Sequence, residues 1–146
     1  MATVWTSGYE QHADPASLVE ALRAAGVRRV VDVREFPSSR RRGFSKTPLA
    51  AALAEGGIAY EHVRALGNPK RYRDLWRSGR RAEAERGYRE HLAGDGRPAL
   101  LELAASLDDA PTCLLCLEAS HLDCHRALVA DGLVERVEAL AVVNLA

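Results

Sequence analysis

Thr112-Cys113-Leu114-Leu115-Cys116-Leu117-Glu118 is followed by Ala119-Ser120-His121-Leu122-Asp123 and then by Cys124-His125-Arg126. The first segment is a short apolar run that reads as a buried strand over Thr112 to Leu117. It stops at a carboxylate and crosses a short polar loop. It then enters a helix predicted from Cys124, capped by Asp123, to about Asp131, with Gly132 as its stop. All three cysteines and two of the five histidines fall within these fifteen residues. Strand, loop and helix in this order are the unit of an α/β fold, and the chemistry sits at the strand's carboxyl end.

The same unit recurs toward the amino terminus. Thr3 to Thr6 reads as a strand ending at Ser7-Gly8-Tyr9, where glycine suits a close backbone approach. Asp14-Pro15 opens a helix with Leu18, Val19 and Leu22 on one face, stopped at Gly26. Arg29-Val30-Val31-Asp32-Val33 is a second strand whose unbroken apolar run fits a parallel strand buried on both faces. A long loop, 34–46, leads to a helix capped at Thr47-Pro48. Ile58 to Val63 is a third strand, and Lys70 to Leu92 is polar and helical, broken at Ser78-Gly79. A helix opens at Arg97-Pro98, and Glu138 to Val143 is a last strand. The pattern predicts a single three-layer α/β domain over 1–146, Rossmann-like, with a mainly parallel five-stranded sheet in the order 3-2-1-4-5. A basic loop and helical insertion is expected at about 64–97. Ligands in such sheets bind outside the carboxyl ends of the strands at the switch point, here expected between the first and fourth strands.

The chain has 146 residues, 47% hydrophobic and 27% charged, an ordinary composition for one folded domain. No apolar run approaches the roughly 18 residues of a membrane span. Met1 to Trp5 lacks the pattern of a signal peptide, and three cysteines is an odd count, so a reducing cytoplasm is expected. Charge is neutral overall but uneven. Residues 34–97 hold 15 Lys/Arg against 8 Asp/Glu, and 18 of the 20 cationic residues are Arg. A GC-rich coding sequence explains such a preference; so does a basic lip for an anionic ligand or nucleic acid.

Five residues of the opening stretch carry the candidate chemistry. Cys124 in a helix's first turn would be favoured as thiolate, and Arg126 beside it completes an anion site. Glu118, shielded by the loop, suits general acid–base work. The plainer alternative makes Cys116 a core residue, pairs Glu118 with Arg126 or Arg34, and leaves His125 on the surface. Zinc or iron on Cys116, Cys124 and His125, with Cys113 or His121, is a weaker reading, and no residue is assigned as a metal ligand. Cys113 and Cys116, three apart on a strand, face opposite sides, which also argues against a redox pair. Asp32 and Arg34 share a strand face. They read equally as ligand groups and as a structural pair that pins the loop. Arg40-Arg41-Arg42 with Phe44, and Lys70, Arg71, Arg73, Arg77, Arg80 and Arg81 with Tyr72 and Trp76, interleave basic and aromatic residues as single-strand nucleic-acid grooves do. Neither G-x-G-x-x-G nor a P-loop is present, which disfavours the corresponding nucleotide sites.

Taken in order, Gly8-Tyr9, Asp32-Val33-Arg34-Glu35-Phe36-Pro37-Ser38, Phe44, Gly57-Ile58-Ala59-Tyr60, Leu66-Gly67, Leu114-Leu115-Cys116-Leu117-Glu118 and Cys124-His125-Arg126 resemble the bacterial and archaeal family catalogued as domain of unknown function 488. Ser120-His121-Leu122-Asp123 departs from it, since the family often has proline in this loop. The resemblance implies an intracellular α/β domain with these motifs around one pocket, and no settled activity. The leading expectation is an enzyme, a transferase or hydrolase, for a small anionic or nucleotide-like substrate. Glu118, Cys116 and Asp32 are its candidate catalytic residues. Gly8, Tyr9, Arg34, Ser38, Cys124, His125 and Arg126 are its candidate binding residues. The alternatives are a nucleic-acid or nucleotide binding module using the Arg-rich region, and a thiol-redox or metal-binding protein using Cys116, Cys124 and His125. No cofactor is firmly implied, and no membrane partner is expected.

Overall fold

Five short segments line up in parallel and form the floor of the fold, with the buried strands at its centre and exposed ones at its edges. The computed structural model describes residues 2–118, 120 and 123–145. Its strands are β1 (Thr3–Gly8), β2 (Arg29–Asp32), β3 (Ala59–His62), β4 (Thr112–Cys116) and β5 (Ala141–Asn144). The helices are α1 (Pro15–Ala24), α2 (Lys46–Glu55), α3 (Lys70–Arg77), α4 (Arg81–Ala93), α5 (Arg97–Ser106) and α6 (Arg126–Val134). Asp14 caps α1 by accepting from the Ser17 N–H at 2.9 Å, with Pro15 at the first helical position. Gly79, at φ +85°, takes the left-handed turn that separates α3 from α4.

The sheet order is β3-β2-β4-β1-β5, all parallel, and this corrects the expected 3-2-1-4-5. β4 lies between β2 and β1. The reason is burial: all five residues of Thr-Cys-Leu-Leu-Cys are buried, whereas Thr3 and Trp5 of β1 are only partly covered. A strand apolar on both faces belongs at the centre. The first and fourth strands remain neighbours, paired from Val4 with Thr112 to Gly8 with Cys116. The chain leaves β1 for α1 on one face of the sheet and leaves β4 for α6 on the other. The crevice between their carboxyl ends is therefore the switch point.

Two cores cover the two faces. Leu18 and Leu22 of α1 and Leu49 and Leu53 of α2 pack with Val30, Cys113 and Leu115. Tyr88, Leu100, Val129 and Leu133 of α4, α5 and α6 pack with Val31, Leu114 and Cys116. Each buried leucine contributes about 1.5–3 kcal/mol. Cys113 and Cys116 fall on opposite faces, as the two-residue period requires.

Several boundaries differ from expectation. The helix expected to be capped at Thr47-Pro48 begins at Lys46, with Ser45 as its N-cap residue, so Thr47 and Pro48 lie in its first turn. The helix expected from Cys124 begins at Arg126, with His125 as its N-cap residue, so Cys124 precedes the helix. The last strand begins at Ala141, because Ala139 adopts φ 56° and turns the chain just before it. Among the described residues no helix is long and apolar enough to cross a membrane.

Candidate functional site

At the β1/β4 crevice the two strand ends are tied together by a bond from the Glu10 N–H to the Leu117 carbonyl, 2.8 Å. A cavity of about 300 Å³ opens there. Tyr9, Arg34 and Ser38 line one side of it, Cys116, Glu118, Cys124 and His125 another, and Arg73, Trp76 and Arg77 of α3 a third. Of the ten sequence-derived candidates, Gly8, Asp32 and Arg126 stand outside the wall. Gly8 ends β1 in register with Cys116.

Asp32 and Arg34 form the support under the pocket. Asp32 is wholly buried. The Arg34 Nε donates to both carboxylate oxygens at 2.8 and 3.0 Å, and a terminal nitrogen reaches Oδ2 at 2.6 Å. The other terminal nitrogen donates to the Phe44 carbonyl at 2.8 Å. The Tyr60 hydroxyl from β3 donates to Asp32 Oδ2 at 2.5 Å. Burial works against the charged form of Arg34, but the bonds and charge of Asp32 outweigh it and hold the guanidinium well above its usual range. Burial and the same carboxylate push the Tyr60 phenol up. The Arg34 backbone N–H also donates to Oδ1 at 3.1 Å, so Asp32 is engaged by four donors, and its place is behind the wall rather than at it. Arg34 also lies over the Tyr9 ring, 5.3 Å from its centroid, and Tyr9 stacks on Phe44 at 4.6 Å. The Arg run of the loop is partly structural: Arg41 donates to the carbonyls of Tyr9, Glu10 and His12.

The opposite side is built by β4 and the approach to α6. Cys116 is the last residue of β4, and its sulfur accepts from the Arg126 guanidinium at 2.9 Å. The same nitrogen donates to the Glu118 carbonyl at 2.6 Å. Arg126 is fully buried; desolvation lowers its pKa, opposed by Cys113 and Glu118. Cys124 Sγ accepts from the Arg126 backbone N–H at 3.4 Å. Although it precedes the helix, it thus uses one of the free donors at the helix start. The sulfurs of Cys116 and Cys124 lie within bonding distance, as a disulfide, which leaves Cys113 as the free cysteine. One ligand atom each from Cys116, Glu118 and Cys124 falls within 4.8 Å of the others. Burial pushes the Glu118 carboxyl up, partly offset by its own backbone N–H and by Arg126.

His125 is buried rather than exposed. Its Nε2 lies 2.6 Å from the Val33 carbonyl, which accepts only, so Nε2 carries the proton and Nδ1 faces Cys124 Sγ at 3.6 Å. Burial pulls its pKa down to about 4, against the Val33 bond. Its ring meets Tyr88 edge-on at 5.1 Å. His121, considered above as a ligand, lies outside the described residues.

Sequence reasoning missed two contributors. Asn68 lines the pocket, 6% exposed, and its buried Oδ1 has no hydrogen-bond partner among the described residues. Glu35 pairs with Arg73 at 2.8 Å and orients that arginine. The place of Glu35 depends on Gly67, where a side-chain carbon would collide with the Glu35 backbone. The Leu66-Gly67 dipeptide was the available signal. Among the described residues Arg77 forms no ion pair and is exposed at the pocket rim.

No curated protein and no solved structure matches the chain. The family model described as "Domain of unknown function DUF488" matches residues 14–133, a span that holds the Asp32–Arg34 support, the α3 wall and the Cys116–Arg126 corner, and the chain belongs to that family.

Proposed function

We propose that the chain is an enzyme acting on a small anionic, nucleotide-like substrate at the β1/β4 crevice, by group transfer or hydrolysis, with Glu118 as the proton-handling group. One observation carries this reading. A single cavity is lined by Glu118, two cysteine sulfurs, a tryptophan and three arginines; Glu35 and Asp123 also line it. Of the arginines, Arg34 and Arg73 are paired with Asp32 and Glu35, and Arg77 is exposed at the rim. Arginine offers the planar fork that suits phosphate or carboxylate, and the aromatic wall suits a planar ring. Asn68 adds an unspent acceptor. A cytoplasmic setting belongs to the same proposal, since a reducing compartment would keep Cys116 and Cys124 as thiols.

The test incubates the protein with a pool of nucleotides and sugar phosphates and follows substrate loss by mass spectrometry. Glu118→Gln is expected to abolish turnover while keeping the circular dichroism of the wild type. Arg77→Gln is expected to weaken substrate binding. Turnover by Glu118→Gln at the wild-type rate contradicts the assignment.

A second reading is favoured by Phe36. This ring is 52% exposed at the pocket rim, with Arg64 and Arg73 over it at 5.0 and 6.0 Å. An exposed aromatic between arginines is a stacking platform for a nucleic-acid base. On that reading, affinity for a short single-stranded oligonucleotide falls with salt and with Phe36→Ala, and salt-independent binding contradicts it.

A further inference from the structure

We propose that Cys116, Glu118 and Cys124 form a three-ligand site for a thiolate-preferring divalent cation, zinc by chemistry, whose fourth position opens into the substrate pocket. The proposal deepens the pocket reading and rests on it. Four observations converge.

The first is the donor set. Two sulfurs and a carboxylate oxygen lie within 4.8 Å of one another, and all three residues line the cavity. Ligands held at ~2.0–2.3 Å by a tetrahedral zinc stand roughly 3.5–3.8 Å apart, so zinc would bind the reduced pair, with the two sulfurs parted from their present contact by side-chain rotation. Three protein ligands with one open position is the arrangement of a catalytic zinc rather than a closed structural one.

The second is the backbone. The Cα atoms of Cys116 and Cys124 are 7.3 Å apart. That is wider than the usual disulfide span of about 4.4–6.8 Å, although the two sulfurs touch. A cation between reduced sulfurs would let them stand further apart, which suits the wider backbone.

The third is the set of donors behind the sulfurs. Cys116 Sγ accepts from the Arg126 guanidinium and Cys124 Sγ from the Arg126 backbone N–H. Donors aimed at ligand sulfur from behind orient it and disperse its charge. A divalent ion together with the buried Arg126 cation balances two thiolates and a carboxylate, leaving the corner neutral.

The fourth is His125. Its Nε2 is committed to Val33, so it acts as a packing group beside the site. Glu118 keeps its place in the reaction. A carboxylate that ligates through one oxygen keeps the other for a transferred proton, and the open position takes water or a substrate oxygen.

The test uses the full chain, stripped of metal under reducing conditions and titrated with Co²⁺ and then Zn²⁺. One equivalent of Co²⁺ is expected to bind with a thiolate-to-cobalt charge-transfer band and intense visible bands of four-coordination. Zn²⁺ should displace it. Cys116→Ser and Cys124→Ser should each remove about half of the charge-transfer intensity and weaken Zn²⁺ binding at least 100-fold. Glu118→Gln should keep the charge-transfer band, shift the visible bands and weaken Zn²⁺ about tenfold. Cys113→Ser, on the other face of the sheet, serves as the control and should bind as the wild type does. A chain that binds neither ion with Cys116 and Cys124 reduced overturns the proposal. So does binding that survives both Cys→Ser variants, or an ion bound without the charge-transfer band. Nucleotide binding that is sensitive to Arg77→Gln, in a reduced chain that takes up neither ion, would overturn the metal site and leave the pocket reading standing.

Discussion

Two arginines are buried at the carboxyl ends of neighbouring strands, and their charges are met in different ways. Arg34, after β2, faces a carboxylate: Asp32 takes its fork at 2.6–3.0 Å, and Tyr60 and the Phe44 carbonyl close the network. Arg126, at the start of α6, faces Cys116 Sγ and the Glu118 carbonyl. The first arrangement spends its charge internally and fixes the long loop against the sheet. The second aims its charge at a sulfur that opens on the pocket. A buried arginine with its own carboxylate is a structural pin; one directed at a reactive side chain tunes that side chain. On the function proposed here, the difference makes one half of the crevice support and the other the place of chemistry.

The comparison yields graded predictions. Asp32→Ala leaves the Arg34 cation buried without its carboxylate and should cost about 3–5 kcal/mol of stability in urea unfolding. Adding Arg34→Met to that variant should recover part of the loss. If Asp32→Ala is as stable as the wild type, the pin is misassigned.

Arg126→Gln should act on the other axis. Removing a donor behind a metal-bound sulfur typically weakens metal affinity by about 10–100-fold, measured by competition with a chromophoric chelator. Unchanged zinc affinity would make Arg126 another pin and erase the contrast. Tyr60→Phe removes one donor from Asp32 and should cost about 1–2 kcal/mol, with zinc affinity untouched.

The smallest effect lies in the collar around β1, outside both arginine sites. The His12 pKa is lowered by burial and then by Arg41, against Asp14. A depressed folded-state pKa gives stability that is present above the unfolded value of about 6.5 and lost as pH falls through the folded value. His12→Gln should therefore flatten the decline of stability below about pH 6.5. A decline as steep as the wild type's would show that His12 carries none of it.

Local features were readable in the residues. Asp14-Pro15 announced α1, Ser78-Gly79 the break between α3 and α4, and the two-residue period separated Cys113 from Cys116. Asp32 and Arg34 were readable as a pair for the same reason. Their further partners were not, since Tyr60 arrives from β3 and the Phe44 carbonyl from the loop. The sheet order depends on long-range pairing, although the unbroken burial of Thr112 to Cys116 was the signal for a central strand. Arg126 was the hardest to place. An arginine in a helix's first turn reads as a surface anion binder, and only the packing of α6 on β4 shows it buried behind Cys116. The α3 wall was visible as a basic cluster, but Gly67 and the Glu35–Arg73 pair that aim it at the pocket act across distant segments.

The most direct measurement is a crystal of the reduced protein soaked in zinc, with data collected at the zinc absorption edge. The account predicts one anomalous peak bonded to Cys116 Sγ, Cys124 Sγ and a Glu118 oxygen, with its fourth position toward Arg73 and Arg77. A Cys116–Cys124 disulfide with no peak in the crevice, or zinc bound only elsewhere on the chain, would contradict it.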